Sequence, residues 1–174
     1  SLVDVNKPLT IQGMGINSTT LELSSSWYNA GATAFTLSAP NITIKDIYFK
    51  IVGKGSGNIL GIFQSNTVIQ NNKFSGEYVF GDGEVTRAGV WSSNNMTGLV
   101  FDNNIIESLR QPGYLSNGSG TINNNTISTT RGWVIEGIGT MAMTGNTFNT
   151  NTSHITILDL ASNISGLTIN NNNL

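Results

Sequence analysis

Ile69-Gln-Asn-Asn-Lys-Phe74, Phe101-Asp-Asn-Asn-Ile-Ile106 and Ile122-Asn-Asn-Asn-Thr-Ile127 are three copies of one frame. Each opens and closes on a large apolar residue and holds asparagines between. Working outward, the frame recurs as Ile11-Gln-Gly-Met-Gly-Ile16, Ile44-Lys-Asp-Ile-Tyr-Phe49, Met143-Thr-Gly-Asn-Thr-Phe148 and Ile169-Asn-Asn-Asn-Asn-Leu174. The copies start at positions 11, 44, 69, 101, 122, 143 and 169, so the spacings are 33, 25, 32, 21, 21 and 26 residues. A repeat of this length marks a solenoid whose units bury one another.

Two residues before each frame lies a second, mostly apolar column: Leu9, Ile42, Thr67, Leu99, Gly120, Met141 and Leu167. Period-2 alternation leading into the frame is the pattern of a strand with one buried face. A further short strand is expected on each coil, within 34–37, 59–63, 88–91, 114–115, 133–135 and 155–160. A 21-residue unit cannot hold strand, helix and strand, so coils of short strands are expected rather than helical crossovers. Parallel connections favour the right hand. The longer spacings imply insertions at 17–33 and 75–87.

Asn72, Asn104, Asn125, Asn146 and Asn172 share one column of the frame. Asparagine tolerates the left-handed backbone of a sharp corner. Stacked at the ~4.8 Å strand spacing, such side chains can hydrogen-bond from coil to coil as a ladder. Gly13 and Gly145 fall in the neighbouring column, where glycine also permits a corner. The expected fold is all-β: a single domain over residues 1–174 forming a right-handed parallel β-helix of about seven rungs, with an asparagine ladder at the turns.

The segment Val5-Asn-Lys-Pro-Leu-Thr-Ile-Gln-Gly-Met-Gly15 resembles the first rung of many right-handed parallel β-helix proteins of the pectin-lyase-like superfamily. The repeated Ile-x-Asn-Asn-x-Phe frames extend that resemblance over the whole chain. Lyases, glycoside hydrolases, epimerases, phage tail spikes, adhesins and surface proteins without known chemistry share the fold, so the resemblance speaks to architecture far more than to activity.

Composition narrows the partners. Only 10% of the 174 residues are charged and the formal net charge is −2, which leaves no basic face for a phosphate backbone. No apolar run reaches the ~18 residues needed to span a bilayer. Cysteine is absent, so disulfides and thiolate metal sites are excluded. No cofactor is expected, and the acidic loop Asp82-Gly-Glu84 offers too few oxygens for calcium. The single histidine, His154, lacks any recognisable nucleophile or zinc spacing. Seven Asn-x-Ser/Thr triplets begin at 17, 41, 95, 117, 124, 151 and 163; a chain so rich in these residues generates them by chance. Rung-like sequence starts within ten residues of Ser1 and runs to Leu174, so a longer chain, or end-to-end assembly through open solenoid ends, is expected.

Arg110 and Arg131 each follow their frame's last apolar residue by four and precede the next frame by twelve, which places them on neighbouring rungs. Arg87 sits near the same register. A row of guanidinium forks suits the carboxylates of an acidic sugar chain, and Trp91, Tyr114 and Trp133 lie close by to stack on sugar rings. The plainer account pairs Arg87 and Arg110 with Glu84 and Glu107 as surface ion pairs. Glu136 and Asp159, on the same strand type of successive rungs, are the candidate carboxylate pair for glycoside hydrolysis. In a lyase, Arg110 or Arg131 would abstract the proton or neutralise the uronate. The leading expectation is a secreted or cell-surface module without catalysis, either a structural rigid stalk or one that contacts polysaccharide or surface glycan. A polysaccharide lyase or hydrolase on acidic polysaccharide, and a tail-spike-like fibre segment, are the alternatives.

Overall fold

The computed structural model describes residues 3–24, 32–54, 57–82, 88–92, 95–129, 131–137, 139–149, 158–160 and 166–173. Among these residues twenty short strands, numbered along the chain, fall into three wholly parallel sheets. Sheet A holds β1 (Val3–Val5), β4 (Ala32–Leu37), β7 (Gly57–Ile62), β10 (Ala88–Ser92), β13 (Gln111–Ser116), β16 (Trp133–Glu136) and β19 (Leu158–Leu160). Sheet B holds β2 (Thr10–Gln12), β5 (Thr43–Lys45), β8 (Val68–Gln70), β11 (Met96–Asp102), β14 (Gly118–Asn123), β17 (Thr140–Thr144) and β20 (Leu167–Asn170). Sheet C holds β3 (Thr20–Ser24), β6 (Tyr48–Val52), β9 (Lys73–Ser75), β12 (Ile105–Glu107), β15 (Thr126–Ser128) and β18 (Thr147–Phe148). The chain visits A, B and C in strict rotation, and every strand pairs with the strands three before and three after it. This connectivity is consistent with a β-helix solenoid, all-β and without helix among the described residues.

The opening residues of all seven frames stand in one register: Ile11, Ile44, Ile69, Phe101, Ile122, Met143 and Ile169 pair in succession along sheet B. From Ile44 to Met143 they are buried; Ile169, on the last described rung, is 49% exposed. The closing residues Phe49, Phe74, Ile106, Ile127 and Phe148 form the matching row of sheet C. The interior between the sheets carries a run of aromatic contacts. Phe49 stacks on Phe74 at 5.2 Å, Phe74 on Phe101 at 6.1 Å, and Phe101 meets the Trp133 ring edge-on at 5.2 Å. Such pairs contribute about 0.5–1.5 kcal/mol each beyond their buried area.

Three sequence expectations change. Each coil carries three strands, because the closing apolar residue of the frame belongs to a sheet of its own. The first frame does not close on Ile16: Leu21 pairs with Phe49. Extra residues form a turn there, with the N–H groups of Ser18 and Thr19 both bonded to the Gly15 carbonyl, so β3 lies inside the stretch expected to be an insertion. The asparagine pair also divides its labour. The first member takes the left-handed backbone, at Asn71 (φ 55°), Asn103 (φ 53°), Asn124 (φ 55°) and Asn171 (φ 53°), with Gly145 (φ 68°) and Asp46 (φ 62°) in the same role. The second member points inward.

Those inward residues form a continuous chain of hydrogen bonds at the corner between sheets B and C. Asn72, Asn104, Asn125 and Asn146 are 0–1% exposed. The backbone N–H and Nδ2 of Asn104 both donate to Asn125 Oδ1, at 2.8 and 3.1 Å. The second Nδ2 proton of Asn104 goes to the Ile69 carbonyl at 2.9 Å, and its Oδ1 accepts from Asn72 N and Nδ2. Asn125 repeats this pattern onto Asn146, and Asn146 onto Asn172. Each interior amide thus uses both protons and both lone pairs. Towards the N-terminus the chain of bonds ends where Ile47 occupies the column and its N–H donates to Asn72 Oδ1 at 3.1 Å.

Asn104→Ala removes one amide but strands the N–H and one Nδ2 proton of Asn72. Orphaned buried groups cost about 1–3 kcal/mol each, so a loss of roughly 3 kcal/mol or more is expected in urea denaturation. Asn103→Gly, one residue away, should change stability by less than about 1 kcal/mol, because glycine accepts the same backbone angle. Equal losses at the two positions would contradict this division of roles.

Candidate functional site

Alternation along sheet A decides which side chains can meet a ligand. Trp91 and Tyr114 pair directly across β10 and β13, and Tyr114 pairs with Val134 in β16. Both aromatic side chains are half-buried. The Trp91 ring meets Phe63 edge-on at 5.4 Å, beside Gly61, whose missing side chain leaves room. Two strand positions further, on the same face, Ser116 pairs with Glu136. Tyr114 Oη donates to Glu136 Oε2, and Ser116 Oγ donates to the same oxygen at 3.4 Å. Among the described residues Glu136 Oε1 accepts no hydrogen bond.

Trp133 does not join this row. It is fully buried, with its ring against Phe101, and a Cβ at Gly113 would overlap that ring and come within 2.6 Å of Val90. Frames repeat every 21 residues here, but β13 and β16 pair with an offset of 20, as Tyr114 with Val134 shows (134 − 114). Trp133 precedes Val134, so it takes the opposite face. A tryptophan inside the solenoid cannot stack on a sugar outside it.

The basic row is real in part. The Arg131 N–H donates to the Arg110 carbonyl at 2.8 Å, so the two residues lie on neighbouring rungs at the entrance to β13 and β16. Their side chains are half-buried, and neither is without a partner. Arg87, Glu84 and His154 lie outside the described residues. Glu107 is not a partner for Arg110. It accepts from Lys73 at 2.7 Å, and that ammonium also sits 4.9 Å from the Tyr48 ring centroid on sheet C. Asp159 pairs through its backbone with Val134, two strand positions short of Glu136; its side chain lies outside the described residues. Asp82 bonds Lys54 at 2.8 Å. Among the described residues no three His, Cys, Asp or Glu side chains gather as a metal site, and no helix is long and apolar enough to cross a membrane.

Sheet A's outer face ends at a corner where Asn117 (φ 51°) and Gly137 (φ 57°) turn the chain towards sheet B. A depression of about 210 Å³ opens there, lined by Asn95, Thr97, Asn117, Gly118, Ser119 and Gly139 among others. None of its lining residues among those described is charged. It begins one residue beyond Ser116 and Glu136. Sequence reasoning did not find it, although the glycines at 118, 137 and 139, each next to a turn, are its visible trace.

No family model, curated protein or solved structure matches this chain. A functional reading therefore rests on these residues and their geometry.

Two outcomes follow from the packing. The hydrogen bond from Lys73 to Glu107 holds the Lys73 pKa above its ordinary 10.5, with burial opposing it. A raised lysine pKa contributes stability that is complete below pH 10.5 and is lost as pH rises through the folded value. Glu107→Gln should cost no more than about 1 kcal/mol at neutral pH, since the pair is partly exposed. The gap to wild type should close above pH 10.5 in pH-dependent denaturation. Gly113→Ala should cost about 1–3 kcal/mol through the Trp133 overlap, read as a fall in the urea midpoint; an unchanged midpoint would mean the ring is not lodged there.

Proposed function

We propose that the chain is a secreted or cell-surface right-handed parallel β-helix of the pectin-lyase-like kind. In this reading about seven rungs are braced by an asparagine ladder, and the module contacts carbohydrate without transforming it. The observation that carries this reading is the in-register pair Trp91–Tyr114 on the outer face of sheet A. Two partly exposed aromatic rings on adjacent strands offer a platform for the C–H faces of sugar rings, and aromatic rings are strong contributors at binding surfaces. The hand is supported by the strong preference of parallel crossovers. The seven-frame register and the buried amide column support the family likeness.

Catalysis is disfavoured by what surrounds the candidate groups. Glu136 spends one carboxylate oxygen on Tyr114 and Ser116. Arg110 and Arg131 stand at the far end of the strands: at ~3.3 Å per residue, Arg131 is roughly 16 Å along the strand from Glu136.

Affinity electrophoresis on a panel of soluble polysaccharides tests the reading. Retardation by at least one glycan is expected, weakened about tenfold by Trp91→Ala, a loss of ~1.4 kcal/mol. No new reducing or unsaturated ends should accumulate on incubation. Turnover by the intact chain, or binding indifferent to Trp91→Ala, would refute it.

A further inference from the structure

Resting on the platform reading above, we infer that the surface selects a neutral glycan, and that Glu136 is the residue that sets this specificity. The geometry puts three features in sequence. Trp91 and Tyr114 lie side by side, Glu136 stands at the end of the same face, and the uncharged depression opens immediately beyond it. The Glu136 carboxylate is oriented by two hydroxyl donors on a single oxygen, Oε2, which leaves Oε1 as an acceptor at the edge of the aromatic platform. A fixed carboxylate oxygen takes hydrogen bonds from sugar hydroxyls, and charge-assisted bonds of that kind are roughly twice as strong as neutral ones. Towards the carboxylate of a uronate the same oxygen offers repulsion, because a second carboxylate brings no proton to share.

The depression carries the same preference. Among the described residues it is lined by the Met96 side chain, the amides of Asn95 and Asn117, the hydroxyls of Thr97 and Ser119, and backbone bared by Gly118, Gly137 and Gly139. These groups donate to and accept from hydroxyls and hold no cation to neutralise an acid. A Cβ at Gly118 would lie 2.8 Å from the Met96 carbonyl and 2.9 Å from its Cγ, so the floor cannot carry a side chain without moving the rung beneath. The cations that an acidic chain would need, Arg110 and Arg131, enter sheet A at the opposite end of the strands. Arg110 precedes Tyr114 by four residues, roughly 13 Å of strand. A neutral chain lying over Trp91 and running past Glu136 into the depression meets uncharged amides and hydroxyls beside the apolar surface of Met96; a polyuronate meets a like charge in the middle.

The test compares wild type, Trp91→Ala, Glu136→Gln and Tyr114→Phe. Probes are soluble neutral polysaccharides (a β-1,4-glucan derivative, xylan and galactomannan) and polygalacturonate at low salt, with circular dichroism as the folding control. Wild type should bind a neutral probe and ignore polygalacturonate. Glu136→Gln should weaken neutral binding about tenfold, the value of one charge-assisted hydrogen bond, and admit polygalacturonate. Tyr114→Phe keeps the carboxylate and removes one of the two donors on Oε2, Ser116 remaining, so it should go on rejecting polygalacturonate; should Glu136→Gln fail to fold, polygalacturonate binding by Tyr114→Phe would overturn the assignment to Glu136. Preferential binding of polygalacturonate by wild type, lost in Trp91→Ala, would overturn the inference and leave the platform standing. Binding of any probe that survives Trp91→Ala unchanged would instead remove the platform itself.

Discussion

A primary amide sealed away from water must find two acceptors and two donors or destabilise whatever holds it. The corner between sheets B and C solves that problem by repetition. Asn104 can be satisfied only because Asn72 stands one rung before it and Asn125 one rung after. Each amide is therefore a condition on its neighbours, and the condition fixes the axial register of the rungs. A slip of one residue in any coil would orphan the buried amides on both sides of it. Apolar rows alone would tolerate more, since Ile, Leu, Phe and Met exchange places along them at modest cost. The amides also align in one direction, with every Nδ2 aimed at the Oδ1 of the following rung, an arrangement in which successive hydrogen bonds polarise one another.

Once register is held, alternation does the rest. Each strand offers one face to the core and one to the outside, and equal positions on successive strands form rows at the strand spacing. The outer rows differ sharply in chemistry. Sheet C carries ion pairs, Lys73 with Glu107 and Lys50 with Glu22. Sheet B carries Gln12, Lys45, Gln70, Asp102, Asn123, Thr144 and Asn170 in one row, and Asp102 gathers the side-chain amides of Asn103 and Asn124. Aromatic rings half open to solvent at in-register positions occur on sheet A, as Trp91 and Tyr114.

The sequence made the core rows legible because burial demands a large apolar residue at every turn, and seven such residues kept their places from Ile11 to Ile169. The closing row was harder. Ile16 satisfies the frame in composition, yet the Gly15 turn displaces it and Leu21 takes the position, a substitution that only local backbone bonding reveals. The two asparagines of each pair are indistinguishable by type, and their separate duties follow from φ at Asn103 and burial at Asn104. Trp133 escaped because the frame period and the sheet A offset differ by one residue, and in a strand one residue is the difference between inside and outside. Glu107 found Lys73 across the sheet, 34 residues away (107 − 73), because adjacent strands bring diagonal neighbours within reach of a long side chain. The depression beside Glu136 was invisible for a different reason: it is built from what glycine lacks.

These differences bear on how such a scaffold presents a surface. A loop-borne site must be ordered when its ligand arrives, and each immobilised side chain costs about 0.5–1.5 kcal/mol. Here Glu136 is already oriented by Tyr114 and Ser116, Trp91 is braced by Phe63, and the strands beneath are pinned by a solid core. Neighbouring strands ~4.8 Å apart let one extended ligand engage several rungs at once. Side chains held in fixed rows above a buried amide column can meet an extended, repetitive partner at several rungs without first being reordered.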